Sequence, residues 1–290
     1  MKEVKFTKMH GAGNDYIYID CTSSTPESLP QLAIEMSRRH FSVGADGIVL
    51  ICPSEVADLK MRIFNADGSE ARMCGNATRC IGKYAYEHGL IRSATLSLET
   101  LSGIKYLTLH TDPATDEVST VSVDMGPATF RCSEIPVRHT SDTMIDSVVE
   151  PGAPESPIRI TAVSMGNPHG VVFVDHDPTD REVLGLGPIL ECHHVWPDRA
   201  NIEFCRPLDR HRLLMRVWER GSGETWACGT GACAAASAAV ATGRCDFPVN
   251  VELRGGTLLI DRRPDGHILM EGPAEEVYSG TYRIKNCKTL

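Results

Sequence analysis

No stretch of this chain approaches the roughly 18 consecutive apolar residues that a membrane span needs. No block of lysine and arginine appears either, and the formal net charge is -9. Both absences argue against nucleic acid or an anionic membrane as partner. The opening stretch, "MKEVKFTKMHGAGNDYIYID", has lysines but no uninterrupted apolar run behind them. No signal peptide is therefore expected, and a cytoplasmic location is. Cys-x-x-Cys pairs are missing. The 11 cysteines are odd in number and irregularly spaced, so they do not read as a disulfide framework. Most read as small buried hydrophobes. Cys192-His193-His194 lacks a second ligand pair at zinc spacing, so no metal is expected. "GSGE" at 221–224 lacks the rest of a nucleotide-binding fingerprint. No Ser/His/Asp set stands out.

What remains is a globular composition, 42% hydrophobic and 23% charged over 290 residues, enough for one large domain or two. Within it the chain is written twice. "MRIFNADGSEARMCG" (61–75) lies over "MRVWERGSGETWACG" (215–229), with Met, Arg, Glu, Cys and Gly identical. Gly13-Asn14 before "YIYID" matches Gly166-Asn167 before "VVFVD", "LETLSG" matches "VELRGG", and "MGPA" matches "EGPA". Four anchors recur in one order. The fold expected is α/β of the α+β kind: two pseudo-symmetric halves, each an antiparallel-rich sheet curled around a central helix. The first half spans 1–128 and is joined by a C-terminal strand at 278–290; the second spans 129–277. Helices are expected from Asn76 to His88 and from Gly229 to Thr242, each stopped by a following glycine. The second is apolar all round, hence buried. Strands are expected at "LSLET", "IKYLTLH", "STVSVDM", "VNVEL", "TLLID" and "HILMEG". The stretch from Ser133 to Pro157 reads as a connection.

Both copies place Cys-Gly where a loop becomes a helix: Cys74-Gly75 and Cys228-Gly229. The first turn of a helix has unsatisfied N–H groups and partial positive charge. A cysteine there is expected to have its thiolate favoured, and the same N–H groups hold a carboxylate. Duplication is expected to set the two starts opposite each other, with a carboxylate between them. One sulfur then removes the α-proton of a bound carbon acid while the other donates a proton from behind, and configuration inverts. Cys80 and Cys233 lie within the helices and read as packing. A dithiol–disulfide redox pair is the competing use of Cys74 and Cys228.

Taken together, "KMHGAGNDYIYID", "RIFNADGSEARMCGNATRC", "SMGNPHG", "NIEF" and "RVWERGSGETWACGTGACAA" resemble the diaminopimelate epimerase family over nearly the whole chain. The resemblance implies interconversion of LL- and meso-diaminopimelate without pyridoxal phosphate or metal, in lysine and peptidoglycan synthesis. It implies Cys74 and Cys228 as the two bases. Gly75, Asn76, Gly229 and Thr230, with Asn14, would hold the reacting carboxylate. Asn65, Asn167, Asn201 and Arg220 would bind the far amino-acid end, where a guanidinium fork suits a carboxylate. His169 and Glu219 would be polar partners near the reacting amine. The partner expected is the small-molecule substrate, with a homodimer among the assemblies open to the chain. Three positions depart from the family's usual pattern. Gly47 replaces a common Gln, Gly170 replaces Cys or a β-branched residue, and Trp226 is bulky so near Cys228. Against this stand a related racemase of another amino acid such as histidine, a non-catalytic amino-acid-binding module, and a proton-shifting isomerase. The first needs no distal clamp, and the other two need no cysteine pair.

Overall fold

The computed structural model describes residues 3–152 and 155–284. Residues 285–290 of the expected C-terminal strand lie outside the described residues. The chain divides into two compact units, residues 1–123 with 272–290 and residues 124–271. The class is mixed α+β and dominated by sheet.

The first unit runs β1 (Glu3–Gly11), β2 (Asn14–Asp20), α1 (Leu29–Ser37), β3 (Gly47–Cys52), β4 (Leu59–Asn65), β5 (Glu70–Ala71), α2 (Gly75–Glu87), β6 (Thr95–Thr100), β7 (Gly103–Thr111) and most of β8 (Val118–Pro127). The second runs β9 (Ser147–Val149), β10 (Ile158–Ser164), β11 (Pro168–Phe173), a π-helical turn at Arg181–Leu186, α3 (Gly187–Glu191), β12 (Asn201–Asp209), β13 (Arg212–Glu219), β14 (Gly223–Thr225), α4 (Gly229–Ala241), β15 (Val249–Leu253), β16 (Gly256–Arg262) and β17 (His267–Gly272). The last strand, β18 (Glu275–Arg283), returns to the first unit and pairs antiparallel with β1, Glu3 facing Arg283.

The pairing pattern is the same in both units. β2 lies parallel to β3, and β11 to β12. β3–β4 and β12–β13 are antiparallel, as are the short hairpins β4–β5 and β13–β14. β4 is then parallel to β6, and β13 to β15. Parallel neighbours cannot be joined by a tight turn and need a crossover. Here α1 and α3 serve the first parallel pair of each unit, and α2 and α4 the second. Each cysteine thus sits where a crossover enters its helix.

The helix limits follow from the sequence. Cys74 and Cys228 have extended backbones and are the N-cap residues of α2 and α4. Gly89 and Gly243, with φ of 73° and 71°, stop them. α4 is rich in alanine, the best helix former, and its small side chains let it sit within the second unit against β10–β13, β15 and β16. α2 packs against β1, β2, β7 and β18. The sequence reading passed over α1 and α3. In α1 the buried Leu29, Leu32, Ala33 and Met36 follow helical spacing, and a proline stands in the first turn.

Candidate functional site

In the first unit, Cys74 is partly exposed at the head of α2. Its thiol donates to Asn14 Oδ1 at 3.3 Å, and Asn76 Nδ2 donates to the same oxygen at 3.3 Å. Asn14 is held in turn, because its Nδ2 donates to Asp46 Oδ2 at 2.7 Å. Asp46 is itself gripped by Arg39 at 3.2 Å. On the helix side the fully buried Arg79 donates to Asn76 Oδ1 at 2.9 Å and to the Pro273 carbonyl at 3.2 Å. Asn14, Cys74 and Asn76 are therefore one cluster, fixed from both sides by charged residues. Sequence reasoning missed Asp46 and Arg79. Gly75 is the first helical residue, as expected. Cys80 is buried, and burial pushes its thiol up to about 11 against the pull of Tyr18 and Arg79.

In the second unit, Cys228 is only 5% exposed. Its Sγ accepts from the Gly231 N–H at 3.4 Å and lies 3.6 Å from Thr230 Oγ1. Glu219 lies close enough for its charge to act on the thiol and is held by the Thr225 hydroxyl. The expectation that a helix start favours the thiolate does not hold here. Burial pushes the Cys228 thiol well up, and the nearby carboxylates of Glu219 and Glu203 add to the shift, outweighing the help of Thr230 and Gly231. Burial likewise raises Glu219, against the pull of Thr225, Cys228 and His169. His169, fully buried, meets Glu203 Oε1 through Nδ1 at 2.7 Å and Asn167 Oδ1 through Nε2 at 3.0 Å. Asn167 Nδ2 donates to Thr230 Oγ1 at 3.4 Å. Asn167, His169, Glu219, Cys228, Gly229 and Thr230 therefore meet in one cluster. Glu203, which completes it, was not singled out in the sequence.

Three further expected residues lie beside these clusters. Asn65 ends β4, and its side chain reaches Ser69 Oγ at 3.1 Å. Asn201 is buried; its Nδ2 donates to the Pro168 carbonyl at 3.2 Å and its Oδ1 accepts the Arg220 N–H at 2.9 Å. The Arg220 guanidinium is exposed and donates to the Asp198 carbonyl at 3.0 Å.

A matched clamp precedes each cysteine. Arg62 Nε donates to Glu70 at 2.8 Å across β4–β5, and Arg216 Nε to Glu224 at 2.8 Å across β13–β14. The repeated glutamates thus tie the hairpins that lead into the helices. The departures also have physical reasons. A Cβ at Gly47 would lie 2.1 Å from the Phe64 carbonyl oxygen, so the backbone here admits no side chain. At Gly170 it would lie 2.8 Å from the Trp196 ring, which occupies that space. Trp226 is 60% exposed and packs little.

The sequence model of the family described as diaminopimelate epimerase matches residues 6–131 and 161–277. A protein named diaminopimelate epimerase from Agathobacter rectalis is 47% identical over 97% of this chain and 100% of its own. Another so named, from Pelotomaculum thermopropionicum, is 48% identical over 96% of this chain and 98% of its own. Among solved structures, a hydroxyproline epimerase from Agrobacterium vitis aligns with a TM-score of 0.69 at 14% identity, over 97% of this chain and 91% of that one. A phenazine biosynthesis protein of the PhzF family from Bacillus anthracis aligns at 0.67 and 19% identity, over 98% and 100%. These two likenesses concern the fold alone.

Proposed function

The chain belongs to the diaminopimelate epimerase family, and on that premise we propose that Cys74 and Cys228 are the two acid–base groups of its reaction. It is an isomerase that converts LL-2,6-diaminopimelate to the meso form, serving lysine and peptidoglycan synthesis. The observation that supports the assignment is the matched pair of cysteines, each the N-cap residue of its unit's long helix.

The chemistry divides between the two sulfurs. One thiolate takes the α-proton, leaving a carbanion whose charge spreads into the adjacent carboxylate. A helix start with free N–H groups stabilises that charge as it develops. The other sulfur, as a thiol, gives its proton to the opposite face. The raised Cys228 thiol suits it to the second role when the protein is at rest, with Cys74 as the base. Asn14, Asn76, Gly75, Gly229 and Thr230 are proposed to hold the reacting carboxylate, and Glu219 and His169 to face the amine. Asn65, Asn167, Asn201 and Arg220 are proposed for the far end of the substrate. No described helix is long and apolar enough to cross a membrane. With the net charge of -9, we assign the protein to the cytoplasm.

The test is α-proton exchange of LL-diaminopimelate in heavy water without added cofactor. Wild-type protein should incorporate deuterium and yield the meso form. Cys74→Ser and Cys228→Ser should each lose turnover by about a hundredfold or more while keeping a wild-type melting curve. A serine variant that turns over normally in both directions removes that cysteine from the mechanism.

A further inference from the structure

We propose that Glu203 is a positioning residue for the chemistry at Cys228: its carboxylate fixes the His169 ring, and His169 fixes the Asn167 amide against Thr230 at the start of α4. The proposal rests on the assignment of Cys228 as an acid–base group.

Glu203 is an unusual residue for its place. It lies on β12 between Ile202 and Phe204, and all three are fully buried. A carboxylate there loses its hydration and must be repaid by a partner. Its Oε1 meets His169 Nδ1 at 2.7 Å, while its Oε2 has no hydrogen-bond partner among the described residues. The same Oε1 crowds the first turn of α4, where a Cβ at Gly231 would lie 2.8 Å away. Glycine at 231 is therefore what lets the carboxylate reach the helix start. That same turn carries the Gly231 N–H that donates to Cys228.

The hydrogen bonds form a directed chain. Asn167 gives its Nδ2 to Thr230, so its Oδ1 faces His169 Nε2. Both ring nitrogens then face acceptors, Glu203 on one side and Asn167 on the other. Glu203 thus fixes the ring, and the ring holds the amide that orients Thr230 beside the sulfur. Glu219 on β13 is the other carboxylate whose charge bears on the ring, and Cys228 at the head of α4 faces both carboxylates. Burial raises Glu203 and the ring pulls it back, as a mutually dependent pair requires.

The experiment compares wild type, Glu203→Gln and Glu203→Asp. Glutamine keeps the shape but loses the carboxylate that grips the ring. Its kcat should fall by about tenfold to a hundredfold, with KM little changed and the melting curve retained. Nitrogen NMR should show the His169 ring signals displaced in Glu203→Gln. Aspartate, which keeps the carboxylate, should restore turnover and the ring signals in part, and it carries the test should the glutamine variant fold poorly. His169 signals that do not move in either variant, or variants whose activity simply tracks their folded fraction, overturn the proposal. Failure of the underlying reading looks different: Cys228→Ser would then keep its turnover while the His169 signals stay as in wild type.

Discussion

Cys74 and Cys228 occupy matched places but different surroundings. Cys74 is partly exposed and bonded to a neutral amide. Cys228 is buried beneath two carboxylates. The thiolate is the nucleophile, so the two should separate under alkylation. Near neutral pH, iodoacetamide should label the exposed Cys192 first, then Cys74, and leave Cys228 largely intact, as read by peptide mapping. Equal labelling of Cys74 and Cys228 would contradict the burial described here. A second test concerns Arg220, whose fork is proposed to take the distal carboxylate. Lysine cannot make a bidentate bond. Arg220→Lys should raise KM for diaminopimelate by about tenfold to a hundredfold, with a smaller effect on kcat, measured by initial rates. Unchanged kinetics would return Arg220 to a loop-ordering role through the Asp198 carbonyl.

At the scale of elements, each cysteine is placed by a short hairpin and a crossover helix. The helix limits were legible because Cys-Gly opens and glycine closes both segments. The strands flanking them were legible from alternation. The two parallel pairs of each unit were not, since periodicity gives a strand but not its neighbour's direction. Glu203 was missed for a related reason. A glutamate between Ile and Phe reads as the outward residue of a half-buried strand, yet residues 201–205 of β12 are all buried. Packing between elements also decides the glycine at 170. Gly170→Val should destabilise by about 1–3 kcal/mol because its Cβ meets the Trp196 ring. Adding Trp196→Phe should cost less than the two changes summed, because the smaller ring leaves room for the valine. Urea midpoints of the four proteins test this, and strict additivity would mean the two sites do not share the space.

For the whole molecule, the second unit carries acids, Glu203 and Glu219, whose ionisation folding opposes. Glu219 is raised above its ordinary 4.5 chiefly by burial. The folded state therefore holds the proton where the unfolded chain has released it, and stability falls as pH rises above that value. Glutamine has no proton to lose. Thermal unfolding of wild type and Glu219→Gln should agree most closely in acid. The variant should gain on wild type as pH rises above 4.5, although its activity is expected to fall. A difference that stays constant with pH would show that Glu219 is not held above its unfolded value.

The sequence alone determined the duplication, the two cysteines and the helices they head, because each rests on local spacing and on residues whose backbone preferences are strong. It also carried the family, since several separated motifs agree along nearly the full chain. The tertiary structure decided what no local pattern encodes. It decided that α1 and α3 bring parallel strands side by side, that Arg79 and Asp46 hold Asn76 and Asn14, and that Glu203 turns inward to His169. It also decided the direction in which the Cys228 thiol is shifted. A helix start by itself favours a thiolate, but burial beneath Glu219 and Glu203 is the larger effect, and only the packing of β12, β13 and α4 brings those carboxylates to the sulfur.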